Sequence, residues 1–343
     1  MPNFSKGESA ATPVFGVLLT NLGSPAAPTT RAVRSYLREF LADRRVVDLP
    51  RLRWWLIRNF FILPLRPQRA ARLYRSIWTP EGSPLTVTTR RIGDAVTARL
   101  GDALGTEVSL EVAMRYGSPS IEDGLLALAH LGCSRILVLP LFPQYSTTTT
   151  ASACDAVTNA LKGWNSVPEI RTVHSYHDHP AYLTALQSVV RRFWEENGPA
   201  DRLLMSFHGI PRRYADAGDP YPKHCAATAR ALAARLELAP GRWHMAYQSR
   251  FGREPWLLPE LGGRLARWGH RGARGVDVIC PGFATDCLET LEEVAIASRA
   301  RFEAAGGHGF RYIPALNDCR EHITALTEIV ADHTRDWVDG RSS

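Results

Sequence analysis

His208 follows the apolar run Leu203–Phe207 and precedes Gly209. An imidazole just beyond the carboxyl end of a strand lies where α/β folds place ligands, and near neutral pH it can act as a base or a metal ligand. The same position also suits a histidine that caps a strand end by hydrogen bonding. The second candidate is the segment Asp286-Cys-Leu-Glu-Thr-Leu-Glu-Glu293, which comes after the run Asp277–Cys280 and opens a helix reaching about Ala305. Glu289 and Glu293 stand four residues apart, so on an α-helix their carboxylates share one face. Acids in a first turn also complement the helix dipole, and Asp286 with Glu289 has the spacing of a capping box. One imidazole opposite a carboxylate suits a borderline divalent cation such as Fe2+.

Other polar groups read more simply. His174, His177 and His179 have metal-like spacing, but Pro180 directly after them points to a helix start capped by Asp178 or His179. The run Tyr145-Ser-Thr-Thr-Thr-Thr150 is either a polar ligand loop or an N-cap cluster. No Gly-rich phosphate loop of either common type occurs, and Gly306-Gly-His-Gly309 reads as a helix stop. Nothing therefore points to nucleotide chemistry. The six Cys are scattered without a C-x-x-C pair, which argues against a disulfide framework or a zinc ribbon.

The 343 residues allow two domains, and 45% hydrophobic content excludes a disordered chain. The net charge is +7, yet all but Lys6, Lys162 and Lys223 of the 41 basic residues are Arg, a bias of coding before function. Between Arg31 and Arg99 fifteen Arg face five acids, a local excess of +10, so one segment holds the whole surplus. Inside it lies Trp54–Leu65, with paired Trp and paired Phe among Arg51, Arg53, Arg58 and Arg66. The stretch is too short and too interrupted to span a membrane, and reads as a core helix or as an interfacial amphipathic element. The polar Met1–Thr12 lacks the apolar stretch of a signal peptide. These features describe a soluble cytoplasmic chain, with peripheral membrane contact if the Trp54–Leu65 element is interfacial.

Eight short apolar runs must position these groups: Val14–Leu19, Val108–Val112, Arg135–Leu139, Ile170–His174, Arg202–Ser206, His244–Tyr247, Asp277–Cys280 and Phe310–Ile313. Helical stretches at Thr30–Leu41, Ser120–Leu131, Ala181–Glu196, Cys225–Leu236 and Leu288–Ala305 separate most of them. Continuous apolar strands alternating with helices predict parallel sheets covered on both faces. The chain also echoes itself in order: Gly16–Pro25 resembles Leu203–Pro211, Ala113–Gly117 resembles Tyr247–Gly252, and Ile136–Pro143 resembles Val278–Phe283. Three echoes predict two similar α/β halves, over residues 12–178 and 179–338, with the last helix packing back on the first half and ligands bound in the crevice between them.

Eight stretches in one order resemble the ferrochelatase family, and its proteobacterial branch in particular: LLTNLGSP, LYRSIWTPEGSPL, RYGSPSIEDG, LPLFPQYSTTTT, SFHGIPRRYADAGDPYP, QSRFGREPWL, CPGFATDCLETLEE and YIPALN. The resemblance covers nearly all of residues 14–330. It implies two Rossmann-like, chelatase-type halves and a lyase of haem biosynthesis that inserts ferrous iron into protoporphyrin IX, releasing two protons. By the same resemblance His208 and Glu289 are the iron-site residues, with Glu293 a supporting carboxylate. Asn21, Leu22, Arg115, Tyr145 and Trp256 fall at pocket-lining positions, and Arg66 and Ser83 where the family contacts porphyrin propionates.

Two positions depart from some members of the family: Cys287 stands where animal enzymes carry a second histidine, and Ala297 where a further acid occurs. No Cys follows Cys319, so the iron–sulfur cluster of animal members is not expected, nor is any organic cofactor or nucleic-acid partner. The rival readings are a chelatase for another tetrapyrrole or metal, and a bilobal tetrapyrrole carrier. A carrier needs no proton acceptor, which favours the enzyme.

Overall fold

The computed structural model describes residues 15–252 and 254–339. The polar N-terminal stretch and Val14 lie outside them. All eight expected strands form: β1 (Phe15–Asn21), β2 (Val108–Met114), β3 (Arg135–Pro140), β4 (Glu169–Thr172), β5 (Arg202–His208), β6 (Trp243–Gln248), β7 (Val276–Ile279) and β8 (Phe310–Tyr312). They make two four-stranded sheets, ordered β2-β1-β3-β4 and β6-β5-β7-β8, and every pairing is parallel. The orders are the same when the second set is counted from β5. The three sequence echoes therefore mark equivalent strand ends: β1 with β5, β2 with β6, and β3 with β7.

By its contacts the chain divides into two units. The first runs to Leu141 and includes Thr147–His174 and the segment from Ile323 onward; the second comprises Phe142–Ser146 and Ser175–His322. In the first unit β1 is buried at all seven positions, which explains its unbroken apolar sequence. Leu18, Leu125, Leu128, Ile136 and Val138 form its core against the helix Ile121–His130. That helix lies so close that a Cβ at Gly124 would sit 2.6 Å from Leu18 Cδ1. A capping box between Ser120 and Asp123 starts it. After β1 the chain turns at Gly23, whose φ of 96° and approach to the Tyr116 carbonyl leave no room for a Cβ. In the second unit Leu204, Ala246, Leu265, Val278, Val294 and Phe302 pack together around the central strands.

The Trp54–Leu65 stretch belongs to one long helical run: α-helix over Arg51–Leu56, a π-helical turn over Ile57–Ile62, and α-helix again over Leu63–Ile77. Pro64 follows the widened segment, where an ordinary α-turn would drive its ring against the carbonyl four residues back. No residue from Arg51 to Ile62 is buried. Leu52 is 73% exposed, Phe60 62%, Phe61 64% and Leu65 72%, so this is no core helix. Trp54 is the partial exception, its indole N–H donating to the Leu41 carbonyl at 2.6 Å.

Candidate active site

His208 ends β5, paired in register with Gln248 at the end of β6. Its Nδ1 lies 2.6 Å from the Gly209 carbonyl. A carbonyl only accepts, so Nδ1 carries the hydrogen and the neutral ring keeps its lone pair on Nε2. Gly209 is fixed in turn: its N–H donates to the Gln248 carbonyl at 2.8 Å, and a Cβ there would meet that carbonyl and the Trp256 ring. Trp256 thus packs beside the histidine, and its indole N–H is buried without a partner.

Gln248, 2% exposed, ties the parts together. Its Oε1 accepts from Ser206 Oγ at 2.6 Å and its Nε2 donates to the Glu289 carbonyl at 2.7 Å. The next residue, Ser249, is a non-glycine residue with φ of 64°. From that conformation both its N–H and its Oγ donate to the Glu293 carboxylate, each at 2.6 Å. Burial pushes the Glu293 carboxyl up; the Ser249 bonds and the nearby His208 pull it down, and Glu289 pushes it up. The three residues singled out in the sequence are one electrostatic group.

The helix bearing the acids departs from the sequence expectation in two ways. Its cap is not Asp286 with Glu289. Cys287 is the N-cap, its N–H bonded to Thr290 Oγ1 at 2.9 Å. Asp286 faces inward and accepts from Thr290 Oγ1 (2.8 Å), Tyr312 OH (2.6 Å) and Asn317 Nδ2 (2.8 Å), while the Glu289 carboxylate lies against the buried Cys287 thiol. Secondly, Leu291–Ser298 is π-helix, so Glu289 and Glu293 are not related by a regular α-turn. π-turns gather at functional sites because the wider turn re-aims side chains.

The other expected residues are distributed as follows. Tyr145 belongs with the second unit, its N–H donating to His224 Nδ1 at 3.3 Å. In the first unit Asn21 is 5% exposed; its Nδ2 donates to Thr89 Oγ1 at 2.9 Å, its Oδ1 accepts from the N–H of half-buried Leu22, and so it shapes the turn. Arg115 pairs with Asp43 at 2.6 Å and its Nε donates to Ser152 Oγ at 2.7 Å. Ser83 is buried at the head of the helix Pro84–Leu104, and Arg66 is exposed on the helix Leu63–Ile77. The histidine trio does not converge: His179 caps the helix Pro180–Asn197, and His177 stacks on His224 with ring centres 3.7 Å apart. Among the described residues no three His, Cys, Asp or Glu side chains are placed to enclose a metal ion together. Sequence reasoning missed Gln248, Ser249 and Asn317. The echo of Ala113–Gly117 in Tyr247–Gly252 was the available signal for the first two.

Two parallel sheets of equal strand order, with the reactive groups at the carboxyl ends of β5, β6 and β7, define a chelatase-type α/β protein. SirB from Bacillus subtilis with Fe3+ shares this fold at a TM-score of 0.51, 12% identity, over 95% of this chain and 96% of that one. CbiX, described as the terminal enzyme for biosynthesis of siroheme in denitrifying bacteria, does so at 0.51 and 13%, over 92% and 98%. The ferrochelatase family model matches residues 14–334. A ferrochelatase of Nitrosococcus oceani is 53% identical over 323 residues, 94% of this chain and 88% of that protein. One of Aromatoleum aromaticum is 53% identical over 324 residues, 94% and 89%. The chain belongs to the ferrochelatase family.

Proposed function

We propose that iron insertion into protoporphyrin IX, the ferrochelatase reaction, is carried in this chain by His208, Glu289 and Glu293. The substrates are ferrous iron and the free porphyrin; the products are protohaem and two protons. No electron changes hands, so the step balances without an organic cofactor. The observation that carries the assignment is the Nδ1–H bond of His208 to the Gly209 carbonyl, which leaves the lone pair on Nε2, on a ring near enough to Glu293 to pull its carboxyl down. His208 takes a pyrrole proton at Nε2, or holds the arriving iron there, and Glu289 works beside it. Glu293, raised by burial and gripped by Ser249, relays protons: a newly cationic His208 drives its carboxyl back towards the ionised form. Trp256, with its unpartnered N–H, offers the porphyrin a donor and an apolar face.

The exposed helical run from Arg51 to Leu65 is the apolar lip that meets a membrane surface, from which a poorly soluble porphyrin is taken. Its arginines supply attraction to anionic lipid of about 1 kcal/mol for each well-placed charge. No helix among the described residues is long and apolar enough to cross a membrane. We infer peripheral contact, on a chain working in the cytoplasm. The test of the site is His208→Ala. It is expected to abolish iron insertion while the fold and porphyrin binding survive. Retention of more than roughly a tenth of kcat, a change under about 1.4 kcal/mol, refutes the assignment.

A further inference from the structure

Five arginines of the second unit stand near Trp268 in sequence or space, and among the described residues none of them is ion-paired. Arg202 begins β5, and its guanidinium lies 5.2 Å from the Trp268 ring centre. Arg264 lies 5.6 Å from the same ring and donates to His244 Nδ1 at 3.1 Å, while its Nε–H is buried and bonds nothing. His244 itself packs edge-on against Trp268 at 4.9 Å. Arg267 stands in the last turn of the helix Leu261–His270, and Arg271 and Arg274 in the turn beyond it. Arg202, Arg271 and Arg274, with Asp201, Trp268 and the backbone of Gly272 and Ala273, line a cavity of about 310 Å³.

Several other arginines are paired: Arg45 with Asp155, Arg115 with Asp43, Arg171 with Asp336, Arg311 with Asp277. Among the described residues none of the five around Trp268 forms an ion pair, and neither does Asp201, the single acid in the wall. Basic residues in a last helical turn complement the helix dipole. That accounts for Arg267 and Arg271, but not for Arg202 at the start of a strand or Arg274 past the turn. Nor does it account for a cavity between them. Burial together with Arg267 depresses the Arg264 guanidinium. In the cavity wall itself Arg202, Arg271 and Arg274 set three positive charges against the one carboxylate of Asp201, and an anion there offsets the excess.

We propose that this cavity binds a small phosphate-bearing anion, of the diphosphate or triphosphate class. Guanidinium forks match phosphate oxygens two at a time, and here they converge from two sides, the strand start and the turn. Gly272, with φ of 69° and nothing within 4 Å of where a Cβ would stand, exposes its backbone to the ligand. Asp201 suits a hydroxyl or amino group on an organic part of the ligand. The site lies at the opposite end of β5 from His208. Seven strand residues put about 20 Å between them, so both sites can be filled at once.

The experiment is calorimetric titration of the full chain, at physiological ionic strength, with inorganic pyrophosphate, a nucleoside triphosphate and orthophosphate. The expected result is saturable 1:1 binding of pyrophosphate, of the nucleotide, or of both, with orthophosphate weaker. Pyrophosphate equal to the nucleotide assigns a bare polyphosphate ligand; a tighter nucleotide assigns an organic one. Arg274→Gln, which breaks no side-chain hydrogen bond or ion pair among the described residues, is expected to weaken binding about tenfold, and Arg202→Gln combined with it to weaken binding further. Iron insertion in the absence of the anion is expected to be unchanged in both variants. Absence of saturable binding overturns the proposal, as does binding undiminished in Arg274→Gln. Affinity shared with long nucleic acid and following ionic strength alone also overturns it.

Discussion

His322 offers a quantitative test of the packing behind the acidic helix. It is wholly buried at the head of the helix Arg320–Asp339; its Nδ1–H donates to the Asn317 carbonyl at 2.6 Å, and its Nε2 is buried without a partner. Burial lowers its pKa to about 4 from 6.5, with the Asn317 carbonyl and Asp318 pulling weakly the other way. The unfolded chain therefore binds a proton near pH 6.5 that the folded protein refuses until about pH 4. The contribution is complete above pH 6.5 and is lost as pH falls through that window. The shift is worth about 3 kcal/mol in full, and about 2 kcal/mol of it is gone between pH 7.5 and pH 5. His322→Gln keeps a donor for the Asn317 carbonyl but cannot titrate. Urea unfolding at pH 7.5 and pH 5 is expected to show the wild type losing about 2 kcal/mol more than the variant. Because Asn317 also holds Asp286, the acid-induced loss should first appear as slackening of the loop before Glu289. Equal acid sensitivity in the two proteins, or greater sensitivity in the variant, refutes the reasoning.

Three further outcomes follow from the geometry. Glu289→Gln is expected to lower kcat strongly. Glu293→Gln, whose Ser249 bonds survive in part, should lower it less and flatten the pH profile of kcat; equal and mild effects from both would show that the two acids serve only the helix end. Replacing Trp55, Phe60 and Phe61 by Ser should weaken liposome binding and raise KM for protoporphyrin more than for a soluble porphyrin, and since all three side chains are exposed, thermal stability should hold. Asp43→Asn leaves the Arg115 guanidinium half-paired in a part-buried setting, where losing a charged partner costs on the order of 1–3 kcal/mol, a loss that thermal unfolding would register as a fall in Tm. No change would mean that Ser152 alone satisfies the arginine.

The fold was legible because its central strands are buried on both faces. Runs such as Phe15–Leu19 and Leu203–Phe207 carry no polar alternation to confuse their type, and their order with the helices gives parallel sheets. His208 was legible for the same reason: it is the first polar group after such a run. The π-turns were not, because apolar spacing does not separate a five-residue hydrogen bond from a four-residue one over so short a stretch. The Ser249 grip on Glu293 and the Asp286–Asn317 pair join residues 44 and 31 positions apart, and no local pattern announces either. Nor does the sequence say that Arg115 is already taken by Asp43, 72 positions before it.

The return of the last helix to the first unit bears on how the protein is made. Trp337 is 3% exposed, its ring 5.5 Å from Phe15, and Asp336 pairs with Arg171 at 2.6 Å. The strand Phe15–Asn21 is therefore covered by residues synthesised roughly 320 positions after it. While the second unit's residues up to His322 emerge and fold, the Phe15 side of the first sheet waits without its partner, an apolar surface open to other chains. A nascent chain stalled before Trp337 holds a nearly complete second unit and an unfinished first one, and holdase chaperones would be expected to bind near the N-terminus instead of near the point of synthesis. At synthesis rates of about 5–20 residues per second, the roughly 320 residues between Phe15 and Trp337 keep that surface uncovered for tens of seconds, longer than a small domain needs to fold.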